Sequence, residues 1–198
     1  HAVIAKAAME LGKHVYVQKP ITHSVKEARV LTETARKYNV MTQMGNQGHS
    51  GEGTRLICEW IWADAIGPVK EVHAWTNRPV WPQGVEVERP KETPAVPESL
   101  NWDLWLGPAP YREYHPTYHP NAWRAWWDFG TGSLGDLGCH ILDPVFWALK
   151  LNYPESVEGN ISTYWHEFWQ KTEPKHETYP RSSLVRYKFP AREDMPAV

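Results

Sequence analysis

The opening 48 residues alternate between helical and strand patterns, and that alternation leaves few folds open to them. Val3, Ile4, Ala7, Ala8 and Leu11 recur at helical spacing over residues 2–11, with Gly12 placed to cap the helix C-terminus. His14-Val15-Tyr16-Val17 then reads as a short strand, closed by Gln18-Lys19-Pro20. Ser24 and Glu27 form a capping-box pattern opening a second helix, which runs through Ala28, Leu31 and Ala35 to Tyr38, where Asn39 can end it. Val40 to Met44 is a second strand, ending in the loop Gly45-Asn46-Gln47-Gly48. Strands joined through helices by such short connections run parallel, with right-handed crossovers. Ligands of doubly wound sheets bind beyond the carboxyl ends of the strands, where Gln18-Lys19-Pro20 and Asn46-Gln47 fall.

A third helix is predicted over Glu52–Ala65, with Leu56, Ile57, Trp60 and Ile61 as its apolar stripe and Gly67-Pro68 as its stop. Val69–Trp75 alternates as a strand. From Asn77 to Ala122 no period is sustained, and nine of the 17 prolines fall there. So long a segment without periodicity is usually functional or covers another element. Trp102, Leu104, Trp105 and Leu106 are too apolar to stay in water, which predicts a structured arm rather than disorder. A helix over Ser133–Leu149 and strands over Ser156–Trp165 and Ser182–Phe189 complete the pattern, with a charged, proline-containing turn between the strands. The expected class is α/β, half of a parallel sheet followed by a separate α+β unit whose remaining strands lie beyond Val198. Both ends read as cut. A leader would precede His1, so cytoplasm and periplasm are both expected settings.

The net charge of −2 gives no electrostatic footprint for nucleic acid. No apolar run approaches the roughly 20 residues that span a bilayer, and no lipidation signal is present, so no membrane partner is expected. Cys58 and Cys139 form no disulfide framework and read as two buried thiols. The 12 tryptophans read either as core residues or as aromatic faces suited to stacking on sugar rings.

The sharpest chemical signal is GTGSLGDLGCHILDPVFWALK, residues 130–150. On a helix, Asp136, His140 and Asp143 stand at i, i+4 and i+7 on one stripe, with Leu134, Leu137, Ile141, Val145 and Ala148 opposite. Two readings fit: a solvated polar face, or ionisable groups that meet a ligand because burying them alone is costly. A histidine one turn from carboxylates can exchange protons near neutral pH. Lys19, at a strand end before a proline, reads either as a solvated lysine or, taken with the histidine stripe, as a hydrogen-bond donor to a hydroxyl lying between Lys19 and His140, as alcohol oxidation requires. His115 and His119 are four apart but lie among prolines without a third ligand, and no metal is expected. The loop Gly45–Ser50 reads equally as a ligand contact or an ordinary turn. The chain holds no GxGxxG turn, so these residues do not by themselves point to a dinucleotide.

His1-Ala2 and its helix, Gly12–Val17 and Gln18-Lys19-Pro20 resemble the segment of the Gfo/Idh/MocA oxidoreductases that ends in a Glu-Lys-Pro motif. Trp123-Arg124, then Gly132, Leu134, Gly135, Asp136, Gly138, His140 and Asp143, resemble that family's substrate-domain helix, and Trp102–Pro108 is similar to a segment of its sugar-related members. The likeness covers nearly the whole chain. It implies the second half of a Rossmann sheet in residues 1–48 and part of a substrate and oligomerisation domain with an open, mostly antiparallel sheet in residues 49–198. It also implies bound NAD or NADP, a sugar, cyclitol or related polyol as substrate, and a homo-oligomer in the full-length protein.

By the same resemblance Lys19, Asp136 and His140 are the catalytic trio. His1, Gln18, Lys19, Pro20, Asn46 and Gln47 lie near the cofactor, and Lys19, Trp123, Arg124, Asp136 and His140 contact substrate. Gln18 stands where the family pattern has glutamate. The implied reaction is hydride transfer from a carbinol carbon, with His140 as general base, Lys19 stabilising the alkoxide and Asp136 holding a hydroxyl or orienting His140. Three rivals fit less of the pattern: glycoside cleavage through transient oxidation, a metal-dependent sugar isomerase or lyase, and a non-catalytic carbohydrate-binding protein.

Overall fold

The computed structural model describes residues 1–78, 87–162, 165–166, 170–171 and 176–198. In chain order the elements are α1 (Ala2–Glu10), β1 (Val15–Gln18), α2 (Val25–Tyr38), β2 (Thr42–Gly45), α3 (Glu52–Trp62), α4 (Trp102–Leu106), α5 (Gly132–Ile141), α6 (Asp143–Ala148), β3 (Ser156–Ile161), β4 (Trp165–His166), β5 (Gln170–Lys171) and β6 (Ser183–Lys188). They belong to two compact units. One comprises His1–Ala74, Gly138–Tyr153 and Phe189–Val198, the other Trp75–Leu137 and Pro154–Lys188. Parts of the predicted arm (79–86), of the strand predicted over Ser156–Trp165 (163–164) and of the turn after it (167–169, 172–175) lie outside the described residues.

In the first unit β1 and β2 pair in parallel, from Val15 opposite Thr42 to Gln18 opposite Gly45, with α2 as the crossover. This is the α/β pattern expected of the opening segment. Its core is Ala2, Ala5 and Met9 of α1 against Leu31 and Val40. The expected apolar stripe of α1 is displaced, because Val3, Ile4 and Leu11 are exposed. Alanines at the α1–α2 contact let the two helices approach closely, which the larger side chains would prevent.

Helix α2 begins as the capping box requires. The Ser24 hydroxyl accepts from the Glu27 N–H at 3.2 Å, and the Glu27 carboxylate accepts from the Ser24 N–H at 3.1 Å. Asn39 ends it in the left-handed conformation, φ 50° and ψ 50°. Ser24→Ala is expected to cost about 1 kcal/mol, read as a lower urea midpoint with an unchanged slope.

α3 packs on α6, and the Trp62 indole N–H donates to the Ala148 carbonyl at 2.9 Å. Cys58 on α3 is buried; burial pushes its thiol pKa up, and the charge of Asp143 adds to the rise. Cys139, expected to be buried as well, is half-exposed. The helix expected over Ser133–Leu149 is two helices, broken at Leu142. Pro144 has no N–H to give to the His140 carbonyl, so the ladder skips a rung there. The strand expected over Val69–Trp75 does not form among the described residues. Val72 and Trp75 are exposed, and without a ladder partner the alternation has no surface to bury against.

The second unit takes its core from the proline-rich arm. Trp102, Leu106, Tyr114, Tyr118, Ala125 and Trp126 form one buried cluster. The Asn101 side chain caps α4 by accepting from the Leu104 N–H at 3.0 Å, and the Trp102 indole N–H donates to the Arg112 carbonyl at 2.8 Å. Both tryptophans of this cluster thereby satisfy their polar atoms, since Trp126 donates to the Thr117 carbonyl at 3.0 Å. The Arg112 guanidinium is buried among the rings of Tyr118, Trp126 and Phe129 and pairs with Asp128 and Glu177. β3 and β6 form an antiparallel ribbon, Ser156 opposite Lys188 through Ile161 opposite Ser183. One face carries Val157, Ile161, Val185 and Tyr187, the other Glu158, Asn160 and Arg186.

Candidate functional site

Lys19 follows the last residue of β1 and is half-buried, as is Pro20. His1, at the start of α1, donates from Nδ1 to the Pro20 carbonyl at 2.8 Å, which ties the helix start to the strand end. Gln18 faces Gly45 across the ladder. A Cβ on Gly45 would lie 3.0 Å from Gln18 Oε1 and 3.1 Å from the Tyr16 ring, so glycine lets the Gln18 side chain lie against β2. Asn46 comes next, and its Nδ2 donates to the Cys139 carbonyl at 2.7 Å. Cys139 precedes His140, so this hydrogen bond joins the carboxyl edge of the sheet to the last turn of α5. His1, Gln18, Lys19, Pro20, Asn46 and His140 thus gather in one compact unit. Gln47, beside Asn46, is exposed.

Asn46 Oδ1 is buried and has no hydrogen-bond partner. A buried acceptor left in this way calls for a donor from water or a ligand. A nicotinamide carboxamide carries such a donor, and a parallel-sheet edge is where a dinucleotide lies. The residues at this edge therefore fit the cofactor that the resemblance implies.

In the second unit Arg124 organises a further group. Its guanidinium stacks over the Trp123 ring, 4.5 Å to the centroid, and bonds to the Asn121 carbonyl at 2.9 Å and to the Asn121 side chain. Arg124 Nε stands 3.8 Å from Asp136 Oδ2. Trp123, Arg124 and Asp136, all expected near substrate, are assembled. Asp136 and His140 lie four residues apart on α5, on one face of the helix.

The glycines before α5 explain themselves sterically. A Cβ on Gly130 would lie 2.2 Å from the Arg124 carbonyl oxygen, and one on Gly132, at φ 59°, would lie 2.5 Å from the Tyr179 ring. The Tyr179 hydroxyl donates to the Gly130 carbonyl at 3.1 Å, and burial pushes its pKa up to about 12. The group is neutral when protonated, so its contribution to stability is full below the ordinary tyrosine pKa of about 10 and is lost as pH rises from there toward 12. Tyr179→Phe is expected to shrink the loss of stability between pH 10 and pH 12, as read by urea unfolding at each pH.

His49 and Asp143 form a pair that the sequence did not announce. His49 Nδ1 lies 2.9 Å from Asp143 Oδ2, and the ring stacks on Trp147. The partners are 94 positions apart, so no local pattern marks them. Asp143 therefore leaves the expected stripe and serves His49 instead. His115 and His119 sit in the aromatic core of the second unit, His115 bonded to Thr117 at 2.9 Å and His119 edge-on to Trp105.

Comparison with known proteins places this geometry. Residues 1–46 match the oxidoreductase family's NAD-binding Rossmann fold, and residues 69–167 match its C-terminal alpha/beta domain. Among solved structures, an oxidoreductase domain protein from Kribbella flavida is 25% identical with a TM-score of 0.56, covering 96% of this chain and 42% of that one. An NAD-binding protein from Listeria innocua, 18% identical, matches at a TM-score of 0.53 over 100% of this chain and 42% of its own. The WlbA dehydrogenase from Chromobacterium violaceum, crystallised with NADH and UDP-GlcNAcA, is 16% identical with a TM-score of 0.58 over 95% of this chain and 42% of its own. The present chain thus spans less than half the length of each. No curated protein matches it significantly. With both family segments present in order, one of them covering residues 69–167, the chain belongs to the Gfo/Idh/MocA oxidoreductases, whose Rossmann domain binds NAD.

Proposed function

We propose that this chain carries the reacting residues of an enzyme that moves a hydride between NAD or NADP and a carbinol carbon of a sugar, cyclitol or related polyol. The observation that carries the reading is the Asn46–Cys139 hydrogen bond, which sets the strand-end residues beside the turn of α5 that bears His140. His1, Gln18, Lys19, Pro20, Asn46 and Gln47 would hold the cofactor. When bound, it supplies the hydride acceptor. His140 takes the hydroxyl proton, and the Lys19 ammonium donates to the developing alkoxide. Asp136 holds a substrate hydroxyl or orients His140, while Trp123 and Arg124 present an aromatic face and a cation to the polyol.

In this reading residues 1–48 are the partial nucleotide-binding domain and 49–198 the partial substrate and oligomerisation domain. The apolar face of the β3–β6 ribbon, with Val157 and Ile161 exposed, supports homo-oligomeric assembly of the full-length protein. The test is nicotinamide reduction by the full-length protein across a panel of polyols and glycosides with each cofactor. Reduction with at least one member is the expected result, and conversion of a sugar without any change in the nicotinamide would overturn it.

A further inference from the structure

The second unit holds a cavity of about 240 Å3, walled by the stretches Arg89–Thr93 and Tyr111–Tyr118 of the proline-rich arm. None of the residues lining it has a part in the reaction proposed above. Tyr111 stands at this wall 69% exposed, and its hydroxyl donates to Glu113 Oε1 at 3.1 Å. That bond holds the ring in place before anything covers it, so a ligand face laid on it gains apolar burial without first ordering the side chain. The second oxygen of Glu113 remains to accept.

The other wall residues supply donors. Arg89 uses one nitrogen, Nη2, on both oxygens of Glu177 at 3.0 Å, which leaves its Nε and Nη1 groups to donate elsewhere. His115 is fixed in tautomer, because the Thr117 N–H donates to its Nδ1 at 3.2 Å; in the neutral ring the proton is on Nε2, a donor. Donors and carboxylate acceptors thus stand round one aromatic face. Neighbouring hydroxyls, each of which both donates and accepts, match that set.

Charge narrows the choice. Arg89 is answered by Glu177, and Arg112, at the back of the cavity, by Asp128 and Glu177. No arginine is left over to draw a phosphate or carboxylate, and Glu92 and Glu113 at the wall would repel one. Size narrows it further, since pockets for drug-sized ligands run from roughly 300 to 1,000 Å3 and this one is smaller. A single uncharged ring fits; a nucleotide does not.

We propose that this cavity is a second carbohydrate site, which takes one neutral pyranose or cyclitol ring with its C–H face on Tyr111 and adjacent hydroxyls between Glu113 and Arg89. Binding here involves no redox step and stands apart from the function proposed above.

A surface tyrosine tethered to a glutamate would look the same if it bound nothing, so the test reads the ring itself. The full-length protein is made with 3-fluorotyrosine at position 111 and titrated with methyl glucosides, methyl galactosides and myo-inositol, then with glucuronate as a charged counterpart, by fluorine NMR. A saturable shift of the Tyr111 signal with at least one neutral probe is expected, and weaker binding of glucuronate. Glu113→Gln keeps an acceptor for the Tyr111 hydroxyl and removes the charge that strengthens the bond to a sugar hydroxyl. It should weaken the neutral probe by about threefold to tenfold, and Arg89→Gln by a similar factor, with folding checked by circular dichroism. Glu113 is exposed, so its replacement leaves the core intact. The absence of a saturable shift with every neutral probe, tighter binding of glucuronate, or unchanged affinity in Glu113→Gln overturns the proposal. Nicotinamide reduction is not read, so the function proposed above and this site stand or fall separately.

Discussion

Replacing His140 by Ala in the full-length protein is expected to lower kcat by about a hundredfold to ten-thousandfold, or about 3 to 5 kcal/mol, with a much smaller change in KM. In the proposed reaction the proton leaves the hydroxyl only as the hydride leaves the carbon, so the loss belongs to the transition state rather than to binding. Lys19→Ala should resemble it, because in the proposed mechanism the ammonium donates to the alkoxide and not to the resting alcohol. Asp136→Asn should be milder. Its carboxylate already has Arg124 as a neighbour at 3.8 Å, and an asparagine can still hydrogen-bond a substrate hydroxyl. Steady-state kinetics on the best substrate of the panel, with folding checked by circular dichroism, reads all three. Near-normal kcat in folded His140→Ala would remove the general base assigned here.

Gly130→Ala is expected to destabilise the protein by about 3 kcal/mol, at the upper end of what overpacking costs. The new Cβ would meet the Arg124 carbonyl oxygen at 2.2 Å, its carbon at 2.5 Å and its Cα at 2.6 Å. These are backbone atoms, so no rotamer change can make room. The 3-10 turn at Ala122–Ala125 must move, and Arg124 with it. The same variant should therefore lose affinity for substrate as well as stability. Gly53 is the control: nothing lies within 4 Å of its Cβ position, and it sits in the first turn of α3. Gly53→Ala should add up to about 0.5 kcal/mol, since alanine gives up less backbone freedom than glycine on entering a helix. Urea unfolding of the two variants side by side gives both signs in one experiment.

What could be read from the sequence was local. Ser24 with Glu27 at one end, and Asn39 at the other, fix α2 through hydrogen bonds within one turn of each end, so the pattern alone suffices. The parallel pairing of β1 and β2 follows from the helix between them. The motif residues Lys19, Asp136 and His140 stood out because strand ends and a helical stripe are local features too. Other features depended on distant partners. Whether Val3 and Ile4 or Ala2 and Ala5 face inward is decided by what α2 presents, and periodicity cannot see that. Val69–Trp75 alternates as a strand should, yet a strand exists only where a neighbour completes its ladder. The arm over Asn77–Ala122 has no period because its core is assembled from single aromatic residues, Trp102, Tyr114 and Tyr118, each contributed by a different turn. His49 needed Asp143, brought to it by the fold.

The most direct test of the chemistry follows the hydrogen itself. Full-length protein loaded with oxidised nicotinamide is given a polyol or glycoside deuterated at the carbinol carbon, and the nicotinamide is recovered after one turnover for mass spectrometry. Hydride transfer requires that the reduced nicotinamide carry one deuterium from the sugar carbon, and that is the expected result. A sugar converted while the recovered nicotinamide holds no deuterium would contradict it.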